Sequence, residues 1–354
     1  MRVPYQTRSR AGHRRHREQG RNREREAGVR GANSVRSGIL LIDKPYDWTS
    51  HDVVARVRRL AGTRKVGHAG TLDPMATGLL VLGIGASTRL LTYLVGADKE
   101  YTATIRLGAS TTTDDAEGEV LTVAPTGALE AACADAHGAD ALGAAIARLT
   151  GEILQVPSSV SAIKVDGKRA YARVRGGEDV VLQARSVTIS SFELLDRVAA
   201  RADDGTDALD LTVRIKCSSG TYVRALARDL GADLGVGGHL TALRRTRVGP
   251  FAVGVASALE SVDMARDLIA PADAAMALFD RYALTPQQAI DLAHGKKLTA
   301  AAEQPQGVPL AAIAPDGRLV GLVEFRGSGG RSLVNFPQDG AASTPGRDKP
   351  EGNA

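Results

Sequence analysis

Between residues 37 and 337 the hydrophobic positions fall into two rhythms. Segment 38–43 (GILLID) is an unbroken apolar run ended by Lys44-Pro45, which predicts a buried strand. Segment 99–106 (KEYTATIR) alternates, with Tyr101, Ala103 and Ile105 on one face. Leu209, Leu211, Val213 and Ile215 alternate with Asp210, Thr212, Arg214 and Lys216, so both segments predict half-buried strands. Helical spacing of Val53, Val54, Val57 and Leu60 predicts a helix capped by Ser50 and stopped by Gly62. Further helices are predicted over 141–149 and 224–234. Thr285-Pro286 reads as a helix start and Gly295 as its stop. Segments 309–313, 319–325 and 333–336, with a Pro315-Asp316-Gly317 turn, predict a small β unit from about Tyr282.

Charge changes the picture at the ends. The net charge of +5 hides a split: residues 1–36 hold eleven Arg and three Glu, a charge of +8, leaving −3 on the other 318 residues. So apolar-poor a segment cannot offset its ordering entropy and is expected to be disordered, either a solvated extension, translated sequence upstream of the true start, or an RNA-tethering arm. Residues 338–354, polar and rich in Gly and Pro, are expected to be a second loose tail. Only Cys133 and Cys217 are present, which excludes a disulfide framework and a cysteine-rich zinc site. Apolar runs fall far short of the roughly 20 residues of a membrane span, and no apolar signal core follows the arginines. Together these point to a soluble cytoplasmic protein without structural metal.

Candidate chemistry sits in three segments. In 67–80 (GHAGTLDPMATGLL), Asp73 precedes Pro74 and an apolar stretch, which fits an ordinary helix N-cap as well as a catalytic carboxylate. In 216–230 (KCSSGTYVRALARDL), Arg224 falls at a helix start, where a cation opposes the macrodipole. It should therefore have an anionic partner, from the protein or a ligand. Tyr101 opens a strand and fits either a core aromatic or a ring that stacks on a base. His68, between glycines, is a weak signal alone. A carboxylate, a guanidinium and a phenol without metal or thiol suit nucleophilic or electrostatic catalysis on a flat polar substrate. No Walker A loop or dinucleotide fingerprint is present.

These segments resemble, in order, the motifs of the TruB family of tRNA pseudouridine synthases. GHAGTLDPMATGLL is similar to its catalytic signature, GILLIDKPYDWTS to its first strand and turn, and KEYTATIRLGASTTTDDAEG to its Lys-x-Tyr segment. KCSSGTYVRALARDLG is similar to its arginine motif and LTALRRTRVGPF to the strand after it. The resemblance covers 37–337. It implies an α+β fold with a mixed, mostly antiparallel sheet flanked by helices over 37–281, and a PUA-like RNA-binding β domain over 282–337. It implies Asp73 as catalytic aspartate, Tyr101 against the target base and Arg224 paired with Asp73. It also implies contacts to substrate from His68, Tyr222, Leu243, Lys99, Lys164 and Arg245, and a mobile segment at 155–177. The implied reaction turns uridine 55 in the tRNA T-loop into pseudouridine. It needs no cofactor, no membrane and no obligate protein partner, and a monomer suffices. With a body charge of −3, RNA binding requires a segregated basic face, for which Lys164, Lys168, Arg169, Arg173, Arg175, Arg244, Arg245 and Arg247 are candidates. Departures from the family pattern are Pro157-Ser158 in place of a double proline, a long Ala-rich stretch at 123–146, and the arginine-rich start. Rival readings are an RNA-folding protein with secondary catalysis, a guide-RNA-dependent relative, and a base-excising glycosidase that would release free uracil.

Overall fold

The computed structural model describes residues 36–133, 138–158, 164–165, 168–169, 183–202, 205–300 and 303–337. Expectations for the two tails, and for all but the first few residues and one short hairpin of 155–177, lie outside the described residues.

Eleven strands form one mixed sheet. Its path runs Ser257–Ala258, Gly38–Lys44, Thr77–Ile84, Gly238–Val248, Lys99–Leu107, Asp207–Cys217, Arg185–Arg201 and Gly151–Gln155. Gly38–Lys44 with Ser257–Ala258, and Gly238–Val248 with Thr77–Ile84, pair in parallel. The other pairings described in this sheet are antiparallel. Along Lys99–Leu107 burial alternates strictly. Tyr101, Ala103, Ile105 and Leu107 enter a core with Leu142 and Ala145 of helix Gly138–Arg148 and Leu226 and Leu230 of helix Val223–Asp233.

The uninterrupted apolar runs have a different cause. In Gly38–Lys44, Ile39 and Leu41 face one core while Leu40 and Ile42 face another; Leu79 and Val81, against Leu80 and Leu82, do the same in Thr77–Ile84. A strand buried on both faces loses its alternation, and periodicity no longer separates it from a buried helix. That ambiguity is why the N-cap reading of Asp73 fails: a turn follows Pro74, then a strand, and the Ala76 amide donates to Asp73 O at 3.1 Å.

Helix Ser50–Ala61 is capped by Thr49, not Ser50. Thr49 and Asp52 form a reciprocal capping box, and Gly62 ends the helix in the left-handed region. The Ser50 side chain is thereby free for another task. A helix at Ala128–Cys133 and strands Gly151–Gln155 and Arg185–Arg201 carried no clear sequence signal; much of the last is exposed.

A second sheet, ordered Arg281–Ala283, Pro309–Ile313, Leu319–Arg326, Gly329–Asn335 and Leu298–Thr299, carries helix Pro286–Ala293 under a Thr285–Gln288 capping box. Its own core holds Tyr282, Leu292, Val323 and Phe325. Ala311, Ile313, Leu319, Leu322 and Phe336 instead join Ile39, Leu41, Leu79 and Val81, with Ala274 and Ala275 of helix Pro271–Leu278. The two sheets therefore share a core. No helix among the described residues is long and apolar enough to cross a membrane.

Candidate active site

Residues 69–76 connect two strands without regular structure, and side chains from elsewhere take up their backbone polar groups. Ser50 Oγ accepts from Leu72 N at 2.9 Å and donates to Leu72 O at 3.2 Å. Lys44 Nζ donates to Pro74 O at 3.1 Å, and to Pro45 O and Trp48 O at 2.9 and 2.5 Å. Asp47 N also donates to Pro74 O, at 3.0 Å. Arg245 reaches Leu79 O at 2.7 Å, Gly70 O at 3.1 Å and Thr71 O at 3.4 Å. Gly78 at φ 97° makes the close approach possible, since a Cβ there would meet Arg245 O at 2.3 Å. Asp73 thus sits on a loop whose backbone is gripped on both sides of it.

The Asp73 carboxylate faces Arg224, with Oδ2 3.1 Å from Nε. Arg224 Nη1 lies 3.2 Å from Asp115 Oδ2 and donates to Thr113 O at 3.0 Å. The side chains of Arg224 and Asp115 are 7% and 3% exposed, that of Asp73 38%. One arginine therefore bridges a sealed carboxylate and an open one. A charge taken from water must be paired and hydrogen-bonded, and Arg224 uses both carboxylates for that. These are the anionic partners that its place in the first turn of an uncapped helix demanded. Asp115 was missed as a site residue, because in sequence it looked like part of a polar turn. Its Oδ1 accepts from Thr113 Oγ1 at 2.5 Å and Glu117 N at 3.1 Å, which leaves Oδ2 for Arg224.

Asp73 opens into a cavity of about 320 Å3 lined by Gly70, Thr71, Leu72, Tyr101, Gly220, Thr221, Tyr222, Val223, Arg224 and Leu243. Such a volume is at the small end of ligand pockets. Tyr101 is buried, which pushes its phenol above the ordinary value, while the Arg245 guanidinium pulls the other way. Tyr222 is held by its backbone: Gln155 accepts from Tyr222 N at 2.8 Å and donates to Tyr222 O at 3.0 Å. His68 stands on the strand before the loop, its ring edge-on to His51 with centroids 5.9 Å apart, outside the cavity lining. Burial pushes its pKa down, favouring the neutral ring.

Two expected substrate contacts, Arg245 and Lys99, are buried in this structure. Arg245 is 1% exposed, donates to three carbonyls of the loop that carries Asp73 and of the next strand, and also hydrogen-bonds Tyr101. Lys99 is 5% exposed and donates to Val95 O and Ala97 O at 2.6 and 2.5 Å, closing the end of helix Leu91–Gly96. Neither presents its charge to a polyanion. Burial lowers both Lys99 and Lys44 to about 8. Of the expected basic face, Arg244 is forked onto Asp43 at 2.7 and 2.9 Å, and Arg247 donates to Gly249 O. The side chains of Lys164, Lys168, Arg169, Arg173 and Arg175 lie outside the described residues.

Three family descriptions match in succession: "TruB family pseudouridylate synthase (N terminal domain)" over 58–223, "tRNA pseudouridylate synthase B C-terminal domain" over 224–277, and "tRNA Pseudouridine synthase II, C terminal" over 279–337. The tRNA pseudouridine synthase B of Leifsonia xyli is 66% identical over 306 residues, 86% of this chain and 98% of that protein. The chain belongs to the TruB family. The Streptomyces griseus member is 52% identical across 84% of this chain and 97% of its own length. Among solved structures, a Cbf5-Nop10-Gar1 complex superposes with TM-score 0.60 at 23% identity, over 86% of this chain and 85% of that one. An H/ACA RNP bound to a substrate RNA superposes equally well at 22% identity. At that distance the likeness establishes the pseudouridine synthase fold. Asp73, Tyr101, Tyr222, Arg224 and Leu243 all fall inside the TruB-matched segments, and the cavity brings them together.

Proposed function

We propose that this protein isomerises uridine to pseudouridine at position 55 of the tRNA T-loop, with Asp73 as the catalytic carboxylate. The observation that carries the reading is the Asp73–Arg224 pair at 3.1 Å on the wall of an open cavity beside a buried Tyr101. The reaction breaks N1–C1′ and forms C5–C1′, while one proton leaves C5 and one is gained at N1. Atoms and electrons balance within the nucleotide. A base in an RNA loop must first leave its stack, at a cost of a few kcal/mol.

Arg224 pairs with the Asp73 carboxylate and aims it at the sugar, where it adds to C1′ or stabilises the positive charge that develops there. Tyr101 and Leu243 offer the uracil an aromatic and an aliphatic wall. The phenol is neutral in the free enzyme, so a proton it accepts from C5 must be matched by one it gives up; it acts as a relay. Tyr222 and His68 are assigned to substrate contact, and Lys164 to the RNA backbone. The enzyme acts in the cytoplasm on the T stem-loop, as a monomer and without a protein partner.

Mapping pseudouridine in tRNA treated with the purified protein tests the reading. Wild type should convert one T-loop uridine. Asp73→Asn should keep RNA affinity and lose product by at least about four orders of magnitude, as removal of a catalytic group does. An active Asp73→Asn variant sinks the assignment, and free uracil in the supernatant would favour a glycosidase.

A further inference from the structure

One turn beyond Arg224 the same helix presents a second guanidinium. Arg228 Nη1 lies 3.2 Å from Asp114 Oδ2, Nε lies 2.8 Å from Asp229 Oδ1, and Nη2 donates to Val156 O at 2.8 Å. Arg224 with Asp115 and Arg228 with Asp114 thus form two rungs between helix Val223–Asp233 and the turn at 111–118. The outer rung is more open, with side chains 28% and 12% exposed.

The turn matters because Arg224 takes both Thr113 O and Asp115 Oδ2 from it. Wherever the turn moves, the catalytic guanidinium follows. The turn is pinned on its far side by the Gly238–Val248 strand, through Leu240 N to Asp114 O at 3.1 Å and Ala116 N to Leu240 O at 2.8 Å. Asp114 adopts φ 61°, a conformation a side chain occupies only when its surroundings fix it. On the helix side, Arg228 is the outer tie. Its third bond, to Val156 O, fastens the residue next to Gln155, whose amide grips Tyr222. One planar fork therefore joins the turn that holds Arg224, the helix that carries it, and the strand end next to Gln155, which grips Tyr222 of the cavity wall.

An ordinary exposed ion pair on a helix would be worth little. This one differs because its acceptors come from the turn, the helix and the Val156 strand end, a geometry no point charge reproduces. We propose that Arg228 is a positioning residue for the isomerisation: with Asp114 it sets the turn against the helix and so fixes Arg224 relative to Asp73. The proposal rests on the reading of Asp73 and Arg224 given above, and it deepens it.

The test compares Arg228→Gln, Arg228→Lys and Asp114→Asn with wild type under single-turnover conditions on T-arm RNA. Tm and the Kd for that RNA are measured alongside. Misplacing a catalytic group by about 1 Å costs on the order of a hundredfold. Arg228→Gln should therefore slow the bound-state rate by about ten- to a hundredfold, with Kd unchanged within twofold. Arg228→Lys, which restores charge but not the fork, should recover only part of that loss. Asp114→Asn should slow the rate, and the double variant Asp114→Asn/Arg228→Gln should be no slower than the slower single variant. Rates within twofold of wild type for all three overturn the proposal, as do additive losses, or losses that vanish once corrected for folded protein or for Kd. Should Arg228→Gln not fold, Arg228→Lys and Asp114→Asn carry the same reading. If wild type itself makes no pseudouridine, the functional reading fails and not this one alone.

Discussion

Single residues show how much of this site is spent on holding rather than reacting. Lys44 and Lys99 are buried cations whose hydrogens go to carbonyls, and burial brings each to about 8, against 10.5 in the unfolded chain. Well below pH 8 both states carry the charge, and its burial cost is fully present. As pH rises past 8 the folded state sheds these protons first, so the unfolded state binds more and stability must increase. Between pH 8 and 9 the gain is about 1 kcal/mol per lysine. Cys217 acts in the opposite sense: burial raises its thiol from 9.0 to about 11, so its contribution falls as pH passes 9. Urea unfolding at pH 7, 8 and 9 should therefore show ΔG rising by less than about 1 kcal/mol to pH 8 and by about 1.5 kcal/mol more to pH 9. A fall over that interval would contradict the buried state of both lysines.

At the scale of elements, neighbouring residues can have unrelated jobs. Thr49 caps helix Ser50–Ala61, and Ser50 clamps Leu72 next to Asp73. Thr49→Ala should cost about 1 kcal/mol of stability and leave kcat alone. Ser50→Ala leaves the buried Leu72 amide without its acceptor, a cost of about 1–3 kcal/mol, and loosens the loop that carries Asp73. Its kcat should fall at least tenfold per folded molecule. Urea melts with single-turnover assays separate the two variants; equal kcat in both would argue against the clamp. The elements themselves were unevenly legible. Lys99–Leu107 and Asp207–Cys217 were plain because one face is wet, and burial alternates along them. Thr77–Ile84 was opaque because both faces are dry.

Across the whole molecule, the second sheet is built into the first. Leu322, fully buried, packs in the cluster that holds Ile39 and Val81. Truncating a core leucine costs about 2–5 kcal/mol. Leu322→Ala should therefore lower the unfolding midpoint reported by Trp48, which packs against a different core cluster, as well as that reported by far-UV circular dichroism. A Trp48 midpoint that stays put while the circular dichroism transition splits would show two independent domains.

By itself the sequence determined the identities: an aspartate, a tyrosine and an arginine in ordered motifs, the alternating strands, and a helix-start arginine in need of an anion. Those are local facts, carried by residue type and spacing. Only the tertiary structure decided that the anion is two carboxylates, one sealed and one open. It likewise decided that Arg245 and Lys99 donate to backbone carbonyls, and that Asp115 stands beside Arg224. The Arg224 and Arg245 contacts depend on which segments meet across more than a hundred residues of chain, the Lys99 contacts on how a helix end folds back, and all of them on how much water remains there.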